Sequence, residues 1–496
     1  MSTQQHFDVL IIGAGLSGIG MACQVSAAFP AKTLAVLERR ERLGGTWDLF
    51  RYPGIRSDSD MLTFGYSFRP WNETKVLADG PSIREYIAAT AREFGIDEKI
   101  EYGLKIVAAD WSSSQQRWTV TAQHEAAGEV RTYTCGFLVS ATGYYNHDAG
   151  HLPTFPGTDD FRGRLVHPQH WPADLDHHGK KVVVIGSGAT AVTLVPALAG
   201  DAAHVTMLQR SPSYIFSIPS VDKVSELLDR VLPSRWVYKL ARKRNIVGQR
   251  WIYRACKRWP QQMRRLLLWQ VRRHVGPSVD MRHFTPTYMP WDERLCAVPN
   301  ADLFKTLASG EASIVTDQIE TFTETGILLK SGQELDADVV VTATGLQLQM
   351  LGGMTLSVDG QVRELQDQMS YKGVLVEDLP NMAWVFGYTN ASWTLKSDLS
   401  GAYVCRLLQH MADNDLAVAT PRDLHGCATE GGMLDSLGSG YVQRSKDLMP
   451  RQGSSGPWQV RMDYAHDTAT LLAEPVVDGI LQFETAGSAT LAGVAA

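Results

Sequence analysis

Residues 8–40 read DVLIIGAGLSGIGMACQVSAAFPAKTLAVLERR, and residues 180–212 repeat the pattern as KKVVVIGSGATAVTLVPALAGDAAHVTMLQRSP. In each stretch an apolar run leads into a glycine-rich turn, a longer apolar segment and a second apolar run. This succession is typical of a buried strand, a turn, a helix and the next parallel strand. Two such units predict an α/β fold with two Rossmann-like dinucleotide-binding domains.

A second repeated signal, the tripeptide Ala-Thr-Gly after an apolar strand, sets the predicted domain boundaries. It occurs in GFLVSATGYY at 136–145 and in ADVVVTATGL at 337–346. We interpret the first copy as the point where the chain leaves the first domain, and the second as the exit from an inserted domain. The predicted bounds are 1–145 with 325–496 for the first domain, and 146–324 for the second, which includes a basic helical insert at about 222–280.

The first glycine loop carries a G-x-G-x-x-G motif formed by Gly13, Gly15 and Gly18. Its glycines allow a tight turn and a close approach of the backbone to a pyrophosphate, which the following helix N-terminus also attracts. Glu38 closes the second strand, and a carboxylate there accepts hydrogen bonds from a ribose diol and repels a 2′-phosphate. We therefore assign this site to FAD, which makes the first domain the FAD-binding domain.

In the second unit the strand after the helix ends differently, because Arg210 and Ser211 stand where the first unit has the acidic Glu38. A guanidinium can bind a phosphate through two hydrogen bonds, which predicts a preference for NADPH over NADH. A chain with one ribose-type and one phosphate-type site is predicted to be a flavoprotein that NADPH reduces. The residues predicted to bind NADPH are Gly186, Ser187, Gly188, Thr190, Ala191, Arg210 and Ser211.

Basic charge is concentrated in one segment of a chain whose formal net charge is −6. Of its 47 Lys and Arg residues, 14 fall between 230 and 273, where there is no Asp or Glu. Pro260 predicts a split into at least two helices. Two interpretations stay open: an amphipathic surface at 230–274 that contacts anionic lipid, or an insert that roofs a substrate tunnel. Nucleic acid is not expected as a partner, since no recognition motif accompanies the charge.

The six cysteines form no C-x-x-C or C-x-x-x-x-C pair. Their spacing argues against a metal site and against a redox-active disulfide, and free thiols suit a reducing cytoplasm. The start of the chain shows no signal peptide, and no apolar run reaches the roughly 18 residues that span a bilayer. The sequence therefore predicts a cytoplasmic protein, with peripheral membrane association as the open alternative.

The string FRGRLVHPQHWP lies between the two glycine loops, at 161–172. It holds F-x-G-x-x-x-H-x-x-x-W-P and resembles the fingerprint of Baeyer–Villiger monooxygenases, the class B flavin-dependent monooxygenases. The stretch at 44–60 shares this resemblance, and the insert with the stretches at 290–304 and 388–399 looks like the branch that contains the mycobacterial ethionamide-activating monooxygenase. The resemblance covers nearly the whole chain, and its fingerprint residues here are Phe161, Gly163, His167 and Trp171.

The resemblance implies roles for particular residues. The fingerprint would lie at the link between the domains, where Gly163 supplies a turn and His167 and Trp171 anchor a hinge. Arg294 matches the family's catalytic arginine, although many relatives have Lys-Arg where this chain has Glu293-Arg294. Asp58 matches the active-site carboxylate, and its alternative role is a helix N-cap in SDSDM. The remaining implied residues are Gly44, Gly45, Thr46 and Trp47 at the flavin, and Asn390 and Trp393 at the substrate.

The implied reaction uses NADPH and O₂ to insert oxygen beside a ketone carbonyl through a C4a-peroxyflavin, giving an ester or lactone. Small apolar ketones and sulfur compounds such as sulfides or thioamides are the implied substrates. Arg294 would stabilise the oxygen-derived anion, and Asp58 would orient Arg294. Two rivals stay open: a non-oxygenating NADPH-dependent flavoprotein oxidase or reductase, and a catalytically silent nucleotide-binding protein.

Overall fold

The computed structural model describes residues 5–73, 75–293, 295–434, 438 and 440–487. The strands are β1 (Gln5–Ile12), β2 (Leu34–Leu37), β3 (Ile100–Glu101), β4 (Leu104–Ser112), β5 (Arg117–His124), β6 (Val130–Ser140), β7 (Tyr145–Gly150), β8 (Arg164–Val166), β9 (Lys181–Ile185), β10 (His204–Gln209), β11 (Ile215–Ile218), β12 (Cys296–Pro299), β13 (Ala312–Thr316), β14 (Ile319–Thr323), β15 (Gly326–Leu329), β16 (Glu334–Asp336), β17 (Val339–Thr342), β18 (Leu346–Leu348), β19 (Thr355–Val358), β20 (Gln361–Val362), β21 (Ser370–Tyr371), β22 (Leu375–Val376), β23 (Met382–Trp384), β24 (Leu416–Pro421), β25 (Ala428–Gly432), β26 (Arg451–Gly453) and β27 (Leu481–Thr485).

Helices pack on one face of each of the two main sheets, strands β14–β16 cover the other face of the second sheet, and a further group of helices lies between β11 and β12 in the chain. The helices are α1 (Leu16–Ala28), α2 (Thr46–Leu49), α3 (Met61–Phe64), α4 (Gly80–Glu93), α5 (Ala189–Leu198), α6 (Lys223–Leu228), α7 (Ser234–Arg258), α8 (Pro260–Val275), α9 (Asp302–Ser309), α10 (Trp393–Asp413), α11 (Gly440–Gln443) and α12 (Tyr464–Thr468).

The first sheet is built around β1, which pairs in parallel with β2 and β6. Its strand order is β20-β19-β4-β5-β6-β1-β2-β3. Strand β23 also pairs with β6, β22 pairs with β23, and β21 pairs with β22. Residues 9–12 of β1 and the whole of β2 are buried, which explains the uninterrupted apolar runs of the sequence, because strands covered on both faces lose the alternating pattern. Helices α1 and α10 pack together over one face of this sheet.

The second sheet is wholly parallel, in the order β13-β10-β9-β17-β8. Strand β17 lies between β9 and β8, so the chain at 325–342 belongs to the second domain and not to the first. The predicted boundary at 324/325 is therefore wrong. The return comes after the second Ala-Thr-Gly, where β18 runs antiparallel to β7 and the two crossing segments lie side by side. The predicted bounds placed β17 in the first domain because the sequence of a buried strand does not show which of the two sheets it joins.

The basic segment forms α7 and α8, and the predicted break at Pro260 is confirmed. Proline opens α8 because the first helical position needs no backbone N–H. Helix α7 is fixed to the first domain by the buried Arg242. Its Nη1 donates to the carbonyl oxygens of Leu62 at 3.0 Å and Gly65 at 2.7 Å, and its Nη2 donates to Asp398 Oδ2 at 3.0 Å.

Replacing Arg242 with methionine is expected to lower the free energy of unfolding by roughly 3–5 kcal/mol, because Asp398 would keep a buried charge without its partner. The matched control is Arg254→Met, which removes an exposed ion pair with Asp463 and should cost at most about 1 kcal/mol. Urea unfolding of both variants with bound flavin measures the difference. Equal losses would show that the Arg242 pair does not anchor α7.

Candidate active site

A single cavity of about 1440 Å³ lies between the two sheets, and both glycine loops open into it. A pocket for one ligand typically measures about 300–1,000 Å³, so this volume suits more than one bound group. The predicted site residues that line it are Gly13, Gly15, Glu38, Gly44, Gly45, Thr46, Trp47, Asp58, Gly186, Ser187, Gly188, Thr190, Arg210, Ser211, Asn390 and Trp393.

The two Ala-Thr-Gly turns support the two glycine loops in the same way. Gly13 has φ +101°, and a Cβ there would lie 2.6 Å from the carbonyl oxygen of Ala141. Gly186 has φ +141°, and a Cβ there would lie 2.3 Å from the carbonyl oxygen of Ala343. Each first glycine is thus required both by its backbone conformation and by the turn pressed against it.

Two predicted loop residues serve packing instead of the cavity. A Cβ at Gly18 would lie 1.8 Å from the carbonyl oxygen of Gly13, so this glycine lets α1 approach β1. Ala191 is fully buried in the core of the second domain. Neither is among the described residues that line the cavity, although both were predicted to bind nucleotide.

Glu38 is buried at the end of β2, where it also holds the first loop in place. One carboxylate oxygen accepts the Ala14 N–H at 2.6 Å, and the other accepts the Arg40 N–H at 2.9 Å. Burial raises the pKa of Glu38. Each oxygen keeps a second lone pair for a hydroxyl donor, so the carboxylate can hold the loop and a ribose together.

An arginine cluster beside the predicted flavin loop was missed by the sequence analysis. The buried Asp48 faces Arg40 at 2.8 Å and Arg51 and Arg84 at 3.3 Å, with Arg42 also at 3.3 Å. Burial raises the pKa of Asp48, but the arginines outweigh it and hold that pKa below its usual value. The cluster lies behind Gly44 and does not itself line the cavity, but its net positive charge suits an anionic cofactor nearby.

Asp58 is exposed and lines the cavity, so its carboxylate is accessible to a ligand bound there. The helix N-cap of SDSDM is Asp60, whose side chain accepts the Thr63 N–H at 3.1 Å. Arg294, its predicted partner, lies outside the described residues. The flanking residues Glu293 and Leu295 both line the cavity.

The RYPG turn that leads to Asp58 contacts the second domain. Gly54 has φ +74°, and a Cβ there would lie 2.7 Å from Ala197 Cβ on α5. Tyr52 is buried beside the second loop and hydrogen-bonds Thr190, while burial raises the pKa of its hydroxyl to about 12. Arg56 adds an ion pair to Asp302 at 2.6 Å. The segment before Asp58 therefore packs against the second glycine loop and the domain that carries it.

The second loop presents an exposed arginine and a network of hydroxyls. Ser187 Oγ donates to the carbonyl oxygen of Ser211 at 3.1 Å and lies 2.8 Å from Ser213 Oγ. Arg210 lines the cavity and is exposed. Arg444 also lines the cavity, and burial together with the nearby charge of Arg210 lowers the pKa of Arg444. Arg444 was missed because it follows Arg210 by more than two hundred residues.

His167 lies where the two crossing segments meet. Its Nε2 is 3.2 Å from the carbonyl oxygen of Gly345, and its Nδ1 accepts the Gln169 N–H at 3.2 Å. A Cβ on Gly150 would lie 1.9 Å from the ring, so β7 also contacts it. Burial lowers the pKa of His167, and a neutral ring protonated at Nε2 satisfies both hydrogen bonds.

The other fingerprint residues pack around this link. Gly163 has no positive φ, and its need is steric, since a Cβ there would lie 2.5 Å from the carbonyl oxygen of Asp338. Phe161 packs edge-on against Phe322 with ring centroids 5.8 Å apart. Trp171 packs against the core of the second domain. Gly163 lies at a bend of the chain and is also required by close packing, while its turn role and the coupling role of the fingerprint stay predictions.

An aromatic cluster forms another wall of the cavity. Trp393 opens α10, stacks on Tyr144 with ring centroids 5.0 Å apart, and donates from Nε1 to Ser17 Oγ at 2.8 Å. Tyr144 and Tyr145 join their hydroxyls at 2.8 Å. Asn390 donates from Nδ2 to the carbonyl oxygen of Met462 at 2.9 Å. Trp393 is therefore fixed against the first glycine loop. The amide nitrogen of Asn390 is engaged by the backbone of Met462.

Within the described ranges, no group of three or more His, Cys, Asp or Glu side chains could hold a metal ion. No helix in the same part of the chain is long and apolar enough to cross a membrane.

Two dinucleotide-type loops that share one cavity are typical of a two-domain redox protein that uses two nucleotide cofactors. Residues 6–379 match the flavin-binding monooxygenase-like family, and the chain belongs to that family. The predicted flavin-dependent monooxygenase class is thereby confirmed.

The protein is 70% identical over 486 residues to the putative FAD-containing monooxygenase MymA of Mycobacterium tuberculosis, covering 97% of this chain and 98% of MymA. It is 49% identical over 482 residues to the FAD-containing monooxygenase EthA of the same species, covering 97% and 98%. These relatives agree with the predicted ethionamide-type branch and with the predicted flavin cofactor.

Solved structures share the fold at low sequence identity. An oxidized steroid monooxygenase bound to NADP matches with a TM-score of 0.76 at 22% identity, covering 97% of this chain and 100% of that structure. Cyclohexanone monooxygenase from Rhodococcus sp. Phi1 bound to NADP+ matches with a TM-score of 0.75 at 19% identity, covering 98% and 100%. The predicted fold class is confirmed.

Proposed function

We propose that the protein is an NADPH- and O₂-dependent Baeyer–Villiger monooxygenase that contains FAD. Its substrates are small apolar ketones, which it converts to esters or lactones, and sulfides or thioamides, which it oxygenates. The observation that supports the proposal best is the shared cavity, into which both glycine loops, Asp58 and the chain on either side of position 294 open.

The residues present fit FAD at the first loop. Gly15 and Gly45 approach so closely that a Cβ on Gly45 would lie 3.0 Å from Gly15 Cα, which leaves bare backbone facing the cavity. Glu38 would accept the ribose hydroxyls, and the arginine cluster around Asp48 would balance the charge of the pyrophosphate. Bound FAD, reduced by NADPH, supplies the activated oxygen of the reaction.

The chain's own residues would bind, orient and shield the reactants. Arg210 would bind the 2′-phosphate of NADPH, and the open backbone at Gly188 would admit its pyrophosphate. Arg294 would donate hydrogen bonds to the oxyanion that develops at the ketone carbonyl, and Asp58 would orient Arg294. Trp393 and Tyr144 would exclude water from the reacting end of the cavity.

Purified protein given NADPH, air and a panel of ketones and sulfides tests the proposal. We expect ester or sulfoxide to form in proportion to the NADPH consumed, as measured by absorbance at the nicotinamide band and by product mass. Release of H₂O₂ in proportion to NADPH, with ketone present and no product, would support the oxidase instead. An absence of NADPH consumption would support the silent nucleotide-binding protein.

Replacing Arg210 with glutamine is expected to lower kcat/KM for NADPH by roughly 10- to 100-fold and to leave kcat/KM for NADH nearly unchanged, because one charged hydrogen-bond donor to the 2′-phosphate is lost. Arg164→Gln serves as a control, since Arg164 is an exposed arginine of the same domain that does not line the cavity. An equal loss with both coenzymes would assign Arg210 to another role.

We also propose that the protein acts in the cytoplasm and contacts membrane peripherally through 230–274. The support is chemical: fourteen basic residues, no acid and several tryptophans lie between 230 and 273.

A further inference from the structure

Helix α7 exposes apolar and basic side chains along the side that faces away from the protein. Trp236, Leu240, Lys243, Val247 and Trp251 follow one another at helical spacing and are all exposed. Trp236 is 52% exposed and Trp251 is 61% exposed. Soluble domains expose single apolar residues often, but a row of them on one helix marks an interaction surface.

Helix α8 repeats this composition. Trp269 is 56% exposed and Leu266 is 53% exposed, and Arg265, Arg272 and Arg273 surround them on the same side. The opposite side of α8 is buried through Leu267, Val271 and Val275. Among the described residues, the broadly exposed tryptophans all belong to the basic segment, and they are Trp236, Trp251, Trp259 and Trp269.

The positive charge of these outward sides is largely unneutralised. Lys239 lies over the ring of Trp236 at 5.5 Å, and Arg273 lies over the ring of Trp269 at 5.6 Å. Inner arginines of the segment, such as Arg242 and Arg250, are paired with acids of the first domain. The basic residues without an acidic partner among the described residues are Arg230, Arg235, Lys239, Lys243, Arg258, Arg264, Arg265, Arg272 and Arg273.

The other side of α7 forms part of the cavity wall. Asn245, Gly248, Gln249 and Ile252 line the cavity, and Gln249 donates to Asp60 Oδ2 at 2.8 Å. The two interpretations of the basic segment are therefore compatible, because one helix both walls the cavity and presents the Trp-rich side.

We propose that the outward sides of α7 and α8, here called the docking face, bind an anionic lipid bilayer and bring the cavity wall formed by α7 to the lipid. The docking face consists of Trp236, Lys239, Leu240, Lys243, Val247, Trp251, Arg265, Leu266, Trp269, Arg272 and Arg273. The proposal rests on the proposed function, because an apolar ketone partitions into lipid and would then be taken up where α7 borders the cavity.

The composition fits a bilayer interface in two ways. Tryptophan rings settle at the boundary between headgroups and acyl chains, while Lys and Arg extend their charges to anionic headgroups. The absence of Asp and Glu between 230 and 273 removes the repulsion that such a surface would otherwise impose. A folded acidic partner would need shaped pockets, whereas a fluid bilayer accepts tryptophans at several depths.

Co-sedimentation of the flavin-loaded protein with vesicles tests the docking face. Wild-type protein should pellet with vesicles of phosphatidylcholine and phosphatidylglycerol at low salt, and it should stay in the supernatant with phosphatidylcholine alone. W236S/W251S/W269S and K239E/K243E/R273E should each reduce the bound fraction by about tenfold or more. The matched control V362S/L424S changes exposed apolar residues elsewhere and should bind as the wild type does.

Several outcomes would overturn the proposal. They are wild-type protein that remains in the supernatant at low salt, substituted protein that binds as well as the wild type, and substitutions that change the sedimentation coefficient without vesicles, which would make the docking face a contact between two copies of the chain. Quenching of tryptophan fluorescence by brominated lipid should occur in the wild type and disappear in the serine variant.

Activity separates this proposal from the proposed function. Oxygenation of a short water-soluble ketone should be the same in wild-type protein and the serine variant, with or without vesicles. Oxygenation of a long-chain ketone held in anionic vesicles should fall only in the variant. Loss of all oxygenation in the wild type would overturn the proposed function, while the binding measurements would still decide the docking face.

Discussion

Replacing Arg294 with alanine is expected to reduce ester formation by roughly 10²–10³-fold, because a fixed donor to the developing oxyanion is lost. Anaerobic reduction of the flavin by NADPH should continue at the wild-type rate, since Arg294 is assigned to the oxygenating half of the reaction. Stopped-flow reduction and product mass measure the two halves separately, and H₂O₂ should take the place of ester.

Arg294→Lys is the matched variant for this experiment. A lysine keeps the positive charge but loses the planar pair of donors, so we expect partial activity between that of the wild type and that of the alanine variant. Asp58→Asn should lower ester formation less than Arg294→Ala if Asp58 only orients the arginine. An alanine variant that forms ester at the normal rate would remove Arg294 from the mechanism.

The first glycines of the two loops should separate the two cofactors. Gly186→Ala is expected to raise the Kd for NADPH by roughly 5- to 150-fold, from backbone strain of about 1–3 kcal/mol, while the protein keeps its flavin. Gly13→Ala should have the converse result, with FAD lost on gel filtration. In both cases the new Cβ meets a carbonyl oxygen, at 2.3 Å for Gly186 and 2.6 Å for Gly13.

Flavin absorbance per protein and titration of NADPH against the oxidised protein provide the readouts. Gly200→Ala is the control, since Gly200 lies in the second domain with open space around its Cβ position. It should leave the binding of both cofactors unchanged. Loss of flavin in Gly186→Ala would indicate that the two loops do not fold independently.

The nucleotide-binding units could be predicted because their signals are local. A glycine at φ +101° or +141° is demanded by a turn of a few residues, and the four strand residues before it are apolar because both faces of the strand are buried there. The family resemblance also allowed the fingerprint around His167 to be predicted. It did not show that His167 contacts both crossing segments, which are 195 residues apart at Gly150 and Gly345.

Other features of the site were not predictable from spacing. Asp58 and Asp60 are equally good candidates for a helix N-cap, and only the start of α3 at Met61 decides for Asp60. The arginine cluster on Asp48 includes Arg84, from a different helix, and no periodicity connects the two. The boundary after β17 depends on which sheet offers that strand a partner.

The sequence by itself determined the two dinucleotide-binding units, their different strand-end residues and the concentration of basic charge, because each depends on residues close together in the chain. Tertiary structure alone decided that both loops share one cavity, that β17 belongs to the second sheet, and that α7 walls the cavity on one side and exposes tryptophans on the other. The reason is physical: these features arise from contacts between distant segments, such as Arg242 with Asp398 across 156 positions, and burial and charge pairing at such contacts leave no periodic trace in the chain.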